Sequence, residues 1–272
     1  MGDSIKMPSA QDSLATLRRW NLVQDNSGPH RTYYLAGAPD KKFASVTHIL
    51  KETSDQTGLV QWQKRLGVEE ANNQRQTAAT RGNMAHSNAE YLLKTASALA
   101  RRAVNKRTIQ FDDRGLARIP PPITKWALEK VHKSLPPVGW SAAGYARGLT
   151  QWIVENVTQV HASEFSIHHP AGFAGTCDGL VDIRGKLYVA DWKTTARDKH
   201  LDENHQYVHQ LGAYSLGLQH LTGLRPQGGI VVLARRCGAP QTYELGLPEL
   251  IHAENAYLER AKLYYEKLNQ PV

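Results

Sequence analysis

The chain has 272 residues, 41% apolar and 21% charged, which suits one large globular domain or two modest ones. Two cysteines, Cys177 and Cys237, exclude a disulfide framework and any all-cysteine zinc or iron–sulfur site. Lys and Arg outnumber Asp and Glu by 33 to 25, and the net charge of +8 suits a polyanionic partner without demanding one.

Residues 1–40 show little periodicity beyond Leu14, Leu17, Trp20 and Leu22. No secretion signal is expected from Met1-Gly2-Asp3-Ser4, which lacks a basic region followed by an apolar core. Ser45-Val46-Thr47 opens a helical stretch, with Ser45 or Thr47 as its cap. A second helix is expected over about Thr80–Arg102, where Met84, Tyr91, Leu92 and Ala96 fall near helical spacing. Basic residues follow: Arg101, Arg102, Lys106, Arg107, Arg114 and Arg118 read as a solvated face or a phosphate-tracking one. Pro120-Pro121-Pro122 and Pro136-Pro137 break the middle third into loops and short helices.

Beyond residue 148 the pattern turns to strands, expected at Val157–Ile167, Phe173–Ile183 and Lys186–Lys193. A helix from Glu203 to Leu221 follows, then strands at 229–235 and 241–245, and an amphipathic helix from Pro248 to Leu268. No apolar run approaches the roughly 18 residues of a membrane span, so no membrane partner is expected. The few thiols fit a reducing cytoplasm. This order predicts an α/β protein with helices packed on a mixed sheet.

The chemistry-bearing segment runs from Gly172 to Thr194. Side chains alternate across a strand, so Leu187, Val189, Asp191 and Lys193 share one face. An acid and a base therefore end the apolar face of a strand. Arg184-Gly185 is a two-residue turn candidate, and it sets a register in which Ile183 faces Lys186 and Asp178 faces Asp191. Two facing carboxylates repel unless a cation sits between them, and oxygen ligands favour Mg²⁺ or Mn²⁺ over zinc. Lys193 can hold an attacking water or a scissile phosphate, the remaining part that phosphodiester hydrolysis needs. The bland alternative is a surface hairpin with an Asp–Lys salt bridge.

Gly175-Thr-Cys-Asp178, twelve residues, then Asp191-Trp-Lys193-Thr194 resembles motifs II and III of the RecB-like branch of the PD-(D/E)XK nucleases. Gly82-Asn-Met-Ala-His86 with Glu90 resembles that branch's upstream histidine helix, and Gln210-Leu-Gly-Ala-Tyr214 its Gln-xxx-Tyr helix. Phe43-Ala-Ser-Val-Thr-His-Ile-Leu, Gly185–Thr195 and Gly229-Ile-Val-Val-Leu-Ala resemble segments of the mitochondrial genome maintenance exonuclease group and its phage and bacterial relatives. Cysteine rather than proline precedes Asp178, and Asp191 stands where many members carry Glu.

The resemblance implies a restriction-endonuclease-like core, a central mixed β-sheet flanked by helices, with a helical N-terminal half. It implies a single nuclease domain over 1–272: a mainly helical part at 1–155 with the His86 helix, then the sheet core and C-terminal helix at 156–272. His86, Asp178, Asp191 and Lys193 would be catalytic. His86, Asp178, Asp191 and the Trp192 carbonyl would bind Mg²⁺ or Mn²⁺, while Lys193 serves the water. Gln210, Tyr214 and Thr194 would contact DNA or brace the site, with Glu164 and Glu90 behind the ligands. Glu90 also reads as a solvated acid one turn from His86.

The expected activity is DNA phosphodiester hydrolysis, as an exonuclease on single-stranded ends in replication, recombination or repair, in the cytoplasm of a bacterial or phage-infected cell. The rivals are an endonuclease of the same fold and a non-catalytic nucleic-acid-binding module. Trp126, Trp140 and Trp152 read first as core residues, with base stacking as the alternative.

Overall fold

The structure, a computed structural model, describes residues 22–104, 110–202 and 205–269. Leu14, Leu17, Trp20, Lys106, Arg107 and Glu203 from the reading above lie outside the described residues.

Three short strands, β1 (Leu22–Asp25), β2 (Thr32–Leu35) and β3 (Ala38–Ser45), come first and form an antiparallel meander. They were not expected from the sequence; much of β3 is charged and exposed (Asp40, Lys41, Lys42), so no apolar alternation marks it. Helix α1 (Val46–Glu52) follows directly, and the Ser45 hydroxyl accepts from the His48 N–H as its N-cap. Helices α2 (Thr57–Leu66) and α3 (Val68–Ala103) come next, then the small hairpin β4 (Gln110–Phe111) and β5 (Ala117–Arg118). Helices α4 (Pro121–His132) and α5 (Trp140–Asn156) lead into the long strands β6 (Val157–His169), β7 (Phe173–Ile183) and β8 (Lys186–Thr194). Helix α6 (Gln206–Thr222), β9 (Gly228–Ala234), β10 (Gln241–Leu245) and α7 (Leu247–Leu268) complete the order. The result is an α/β fold, a central mixed sheet flanked by helices. Among the described residues no helix is long and apolar enough to cross a membrane.

Helix α3 begins some twelve residues before the expected Thr80, because its first turns are polar and exposed and leave no apolar period to read. Its buried stripe is Ala85, Ala89, Leu92, Leu93, Ala96 and Ala100, whereas Tyr91 is exposed. An alanine stripe lets α4 and α5 approach closely, and each fully buried leucine adds roughly 2 kcal/mol. These three helices cover one sheet face, where Tyr188, Ala190 and Trp192 of β8 point. Leu187 and Val189 point to the other face, against α1, α6 and α7.

The β7–β8 register is the one predicted. Ile183 pairs with Lys186, and the ladder runs to Gly179 opposite Ala190. Arg184 and Gly185 have φ of 50° and 76°, the left-handed pair a two-residue type I′ turn requires.

β7 is also the branch point of the sheet. On one edge it pairs with β6 from Phe173 to Ile183 except at Asp178. On the other edge, residues 173–174 pair with the parallel β3 and residues 179–183 pair with β8. Residues 175–178 are left between the two neighbours, so the sheet forks there. Gly175 sits in the fork with Val46 and Tyr214 against it, where a Cβ would come within 3.1 and 3.2 Å of them. Any larger residue would push the two walls apart.

Candidate active site

Asp178 closes the fork. By count it stands opposite Glu164 on β6, between the pairs Ser163–Gly179 and Phe165–Cys177. The hairpin register puts Asp191 opposite its other side, one step beyond Gly179–Ala190. Three carboxylates thus line up across β6, β7 and β8, at the step where both ladders lapse. Glu164 has φ of 48°, a left-handed backbone uncommon for a non-glycine residue. Such local strain persists only where the surroundings hold it, and it clusters at functional sites.

Helix α3 crosses the end of β8 and delivers His86 to this row. Its Nδ1 lies 3.5 Å from Asp178 Oδ1. One ligand atom each from His86, Glu164 and Asp178 fall within 4.8 Å of one another. Asp178 Oδ2 accepts the Trp192 backbone N–H at 2.6 Å, so the carboxylate is held while its other oxygen faces His86. Lys193 Nζ lies 2.5 Å from Asp191 Oδ2, and Asp191 Oδ1 is buried with no hydrogen-bond partner among the described residues.

Electrostatics match that crowding. Burial and then Asp178 push Glu164 up to about 7. Burial, opposed by Lys193 and reinforced by Asp178, pushes Asp191 up to about 6. Asp178 is lowered: burial acts against ionisation, but His86, Lys193 and the Trp192 N–H outweigh it. His86 and Lys193 are raised in turn, burial being overcome by Asp178 for the first and by Asp191 and Asp178 for the second. Three acids face one ammonium and one imidazole, so the cluster takes up protons rather than stay fully ionised. Such a cluster of perturbed groups is what marks a candidate functional site.

The expected residues are sorted by this geometry. His86, Asp178, Asp191 and Lys193 come together. Glu164, expected behind them, lies within 4.8 Å of both His86 and Asp178, ligand atom to ligand atom. The Trp192 side chain is buried on the opposite face near Trp152, leaving its main chain at the site. Glu90 pairs with Lys94 one turn along the helix, close enough to Glu164 for both charges to act on it. Thr194 is half-buried at the mouth, 3.6 Å from the Cβ position of Gly82. Gln210 and Tyr214 are both buried, and Gln210 Nε2 donates to the Tyr214 hydroxyl at 2.5 Å. Neither side chain reaches the surface, which is the arrangement the bracing alternative calls for. Trp152 fills the core as expected, but Trp126 and Trp140 are exposed.

Two residues next to the expected ones escaped the sequence reading. Tyr207 lies under Lys193, whose Nζ is 5.3 Å from its ring centroid; its place one helical turn before Gln210 was the available signal. Arg81, beside Gly82, stacks on Tyr145 at 4.6 Å, and its Nε is buried without a hydrogen-bond partner among the described residues.

Residues 60–268 match the PD-(D/E)XK nuclease superfamily. The chain belongs to that superfamily. Its fork, with acids on β7 and β8 and a lysine two residues on, is where that family's name places acid, acid and lysine. The chain is also 33% identical to the mouse mitochondrial genome maintenance exonuclease 1 over 101 residues, 36% of this chain and 30% of that protein. The Xenopus tropicalis counterpart is 27% identical over 131 residues, 46% of this chain and 38% of the relative. The chain spans about a third of the length of these curated relatives. Among solved structures, an alkaline exonuclease (LHK-Exo) from Laribacter hongkongensis is 15% identical with a TM-score of 0.26, covering 71% of this chain and 95% of that one. A likeness at that level is too slight to bear on the chemistry.

Proposed function

We propose that this nuclease-superfamily chain hydrolyses DNA phosphodiesters with Mg²⁺ or Mn²⁺, as an exonuclease acting on single-stranded ends. The observation that carries the reading is the row Glu164–Asp178–Asp191 at the sheet fork, with His86 and Lys193 beside it. The donor set fits the cation: carboxylate oxygens plus one imidazole nitrogen suit Mg²⁺ and, better still, Mn²⁺. The unpartnered Asp191 Oδ1 is a ready ligand atom. His86, Asp178 and Asp191 would hold the ion, with the Trp192 carbonyl and Glu164 completing the shell. Bound there, it supplies Lewis acidity and neutralises charge at the phosphate.

The chain's own groups do the rest. The Trp192 N–H and His86 hold Asp178 in place. Lys193, kept charged by Asp191 and Asp178, orients the water or the scissile phosphate from the same strand face. Gln210 and Tyr214 brace the floor of the fork. End-directed cutting is supported by the name shared by the mouse and frog relatives. The net charge of +8 supports a nucleic-acid substrate. Two free thiols, one exposed, fit a reducing bacterial or phage-infected cytoplasm.

The test compares linear and circular single-stranded DNA with either cation. Degradation of the linear form alone is expected, abolished by chelation. Equal loss of both forms contradicts end-directed action and favours an endonuclease.

A further inference from the structure

Trp140 opens α5 and is 81% exposed, more than any other large apolar side chain among the described residues. Indole groups that expensive to hydrate are ordinarily buried. Arg236 leans over it, with its guanidinium carbon 5.9 Å from the ring centroid. The Arg236 side chain is exposed and meets no carboxylate among the described residues.

This pairing is built into the backbone. A Cβ on Gly144 would fall 1.9 Å from the Arg236 carbonyl oxygen, so only glycine lets α5 lie against the loop after β9. Gly148, one turn on, faces Gly238 and Pro240 of the same loop. Trp140, one turn before Gly144, is thereby held beside Arg236.

The pair is also joined to the fork by short stretches of chain. Arg236 comes two residues after Ala234, which pairs with Thr194 next to Lys193. Gly139 touches Met84, whose Sδ is 3.5 Å from its Cβ position, and Met84 is two residues before His86 on α3. An exposed indole face, an uncommitted guanidinium and a nearby phosphodiester-cutting site share one ligand chemistry.

We propose that Trp140 and Arg236 form a platform on which an unpaired base of the bound DNA strand stacks, its phosphate meeting the guanidinium. The inference rests on the nuclease reading above and deepens it, because it gives the site a reason to prefer unpaired DNA. Base–aromatic stacking needs a base freed from its partner, and a duplex offers none along its length.

The test measures binding by the full chain in EDTA, where no cutting occurs, to a single-stranded oligonucleotide carrying 2-aminopurine and to a duplex of the same sequence. Trp140→Ala should weaken single-strand binding about tenfold and duplex binding by less than about twofold. Trp140→Phe, which keeps an aromatic face, should stay within about threefold of the wild type. Arg236→Ala should flatten the salt dependence by about one unit of slope. Unchanged single-strand affinity in Trp140→Ala overturns the platform, and it then marks a protein-docking surface or no site at all. Wild-type cutting in Mn²⁺ alongside that result leaves the nuclease reading standing. A wild type that neither binds nor cuts DNA sinks both.

Discussion

Asp178 and Asp182 lie four residues apart on β7, and both are buried, yet their surroundings are opposite in kind. At the turn end of the hairpin, Asp182 receives Arg114 Nη2 at 3.1 Å and has His161 Nε2 at 3.0 Å, and Arg114 is tied in turn to Asp112. Its pKa is lowered, because these partners more than repay burial. At the fork end, Asp178 shares its surroundings with two further acids, and the surplus appears as Glu164 at about 7 and Asp191 at about 6. One strand thus carries a neutralised acid that ties the fold together and, at its other end, an acid set in a surplus of negative charge. The difference teaches that burial alone does not mark a functional carboxylate; the local balance of charge does.

The comparison breaks most visibly in activity. Lys193→Ala and Asp178→Asn should each lower the cutting rate by about 10³-fold in a nuclease assay, since each removes a charge from the reacting centre. DNA binding by Lys193→Ala in EDTA should be close to that of the wild type. Asp182→Ala should do the reverse. Leaving Arg114 and His161 without their partner should cost about 3 kcal/mol in denaturant unfolding, while the folded fraction keeps wild-type activity.

Glu164→Gln sharpens the contrast further. A carboxyl whose pKa is raised in the folded state binds its proton more tightly folded than unfolded. Its stability contribution is therefore fully present below the ordinary value of 4.5 and lost as pH rises through about 7. In EDTA the substitution should stabilise the protein at pH 8 by roughly 1–2 kcal/mol, a figure discounted for partial exposure, and by little at pH 4.5. Thermal unfolding at the two pH values checks this. An equal effect at both would show that Glu164 is not under charge stress.

Much of the site was legible because it obeys local rules. The turn chemistry of Arg184-Gly185 set the register from Lys186 back to Gly179, and strand alternation then put Asp191 and Lys193 on one face. Ser45 capped its helix as a serine before a helical stretch should. Glu164 was harder to place. Its position opposite Asp178 depends on the three-residue connection Pro170–Gly172 and on a left-handed backbone at Glu164 itself, neither of which periodicity reveals. Of the expected α3 stripe, Leu92 and Ala96 face the core, but Met84 is only half-buried and Tyr91 exposed, because Ala85, Ala89 and Ala100 carry the rest of the buried face. β1 to β3 were missed because short strands with charged residues lack an apolar alternation. The fork itself is a tertiary fact: β3 and β8 are far apart in the chain and meet only along one edge of β7.

Anomalous diffraction from crystals of the chain soaked in Mn²⁺ addresses the fork's charge deficit without relying on catalysis. A peak within coordination distance of His86, Asp178 and Asp191, and none near Asp182, is the predicted result. An empty fork, or a manganese ion bound at the Asp182 end, would contradict it.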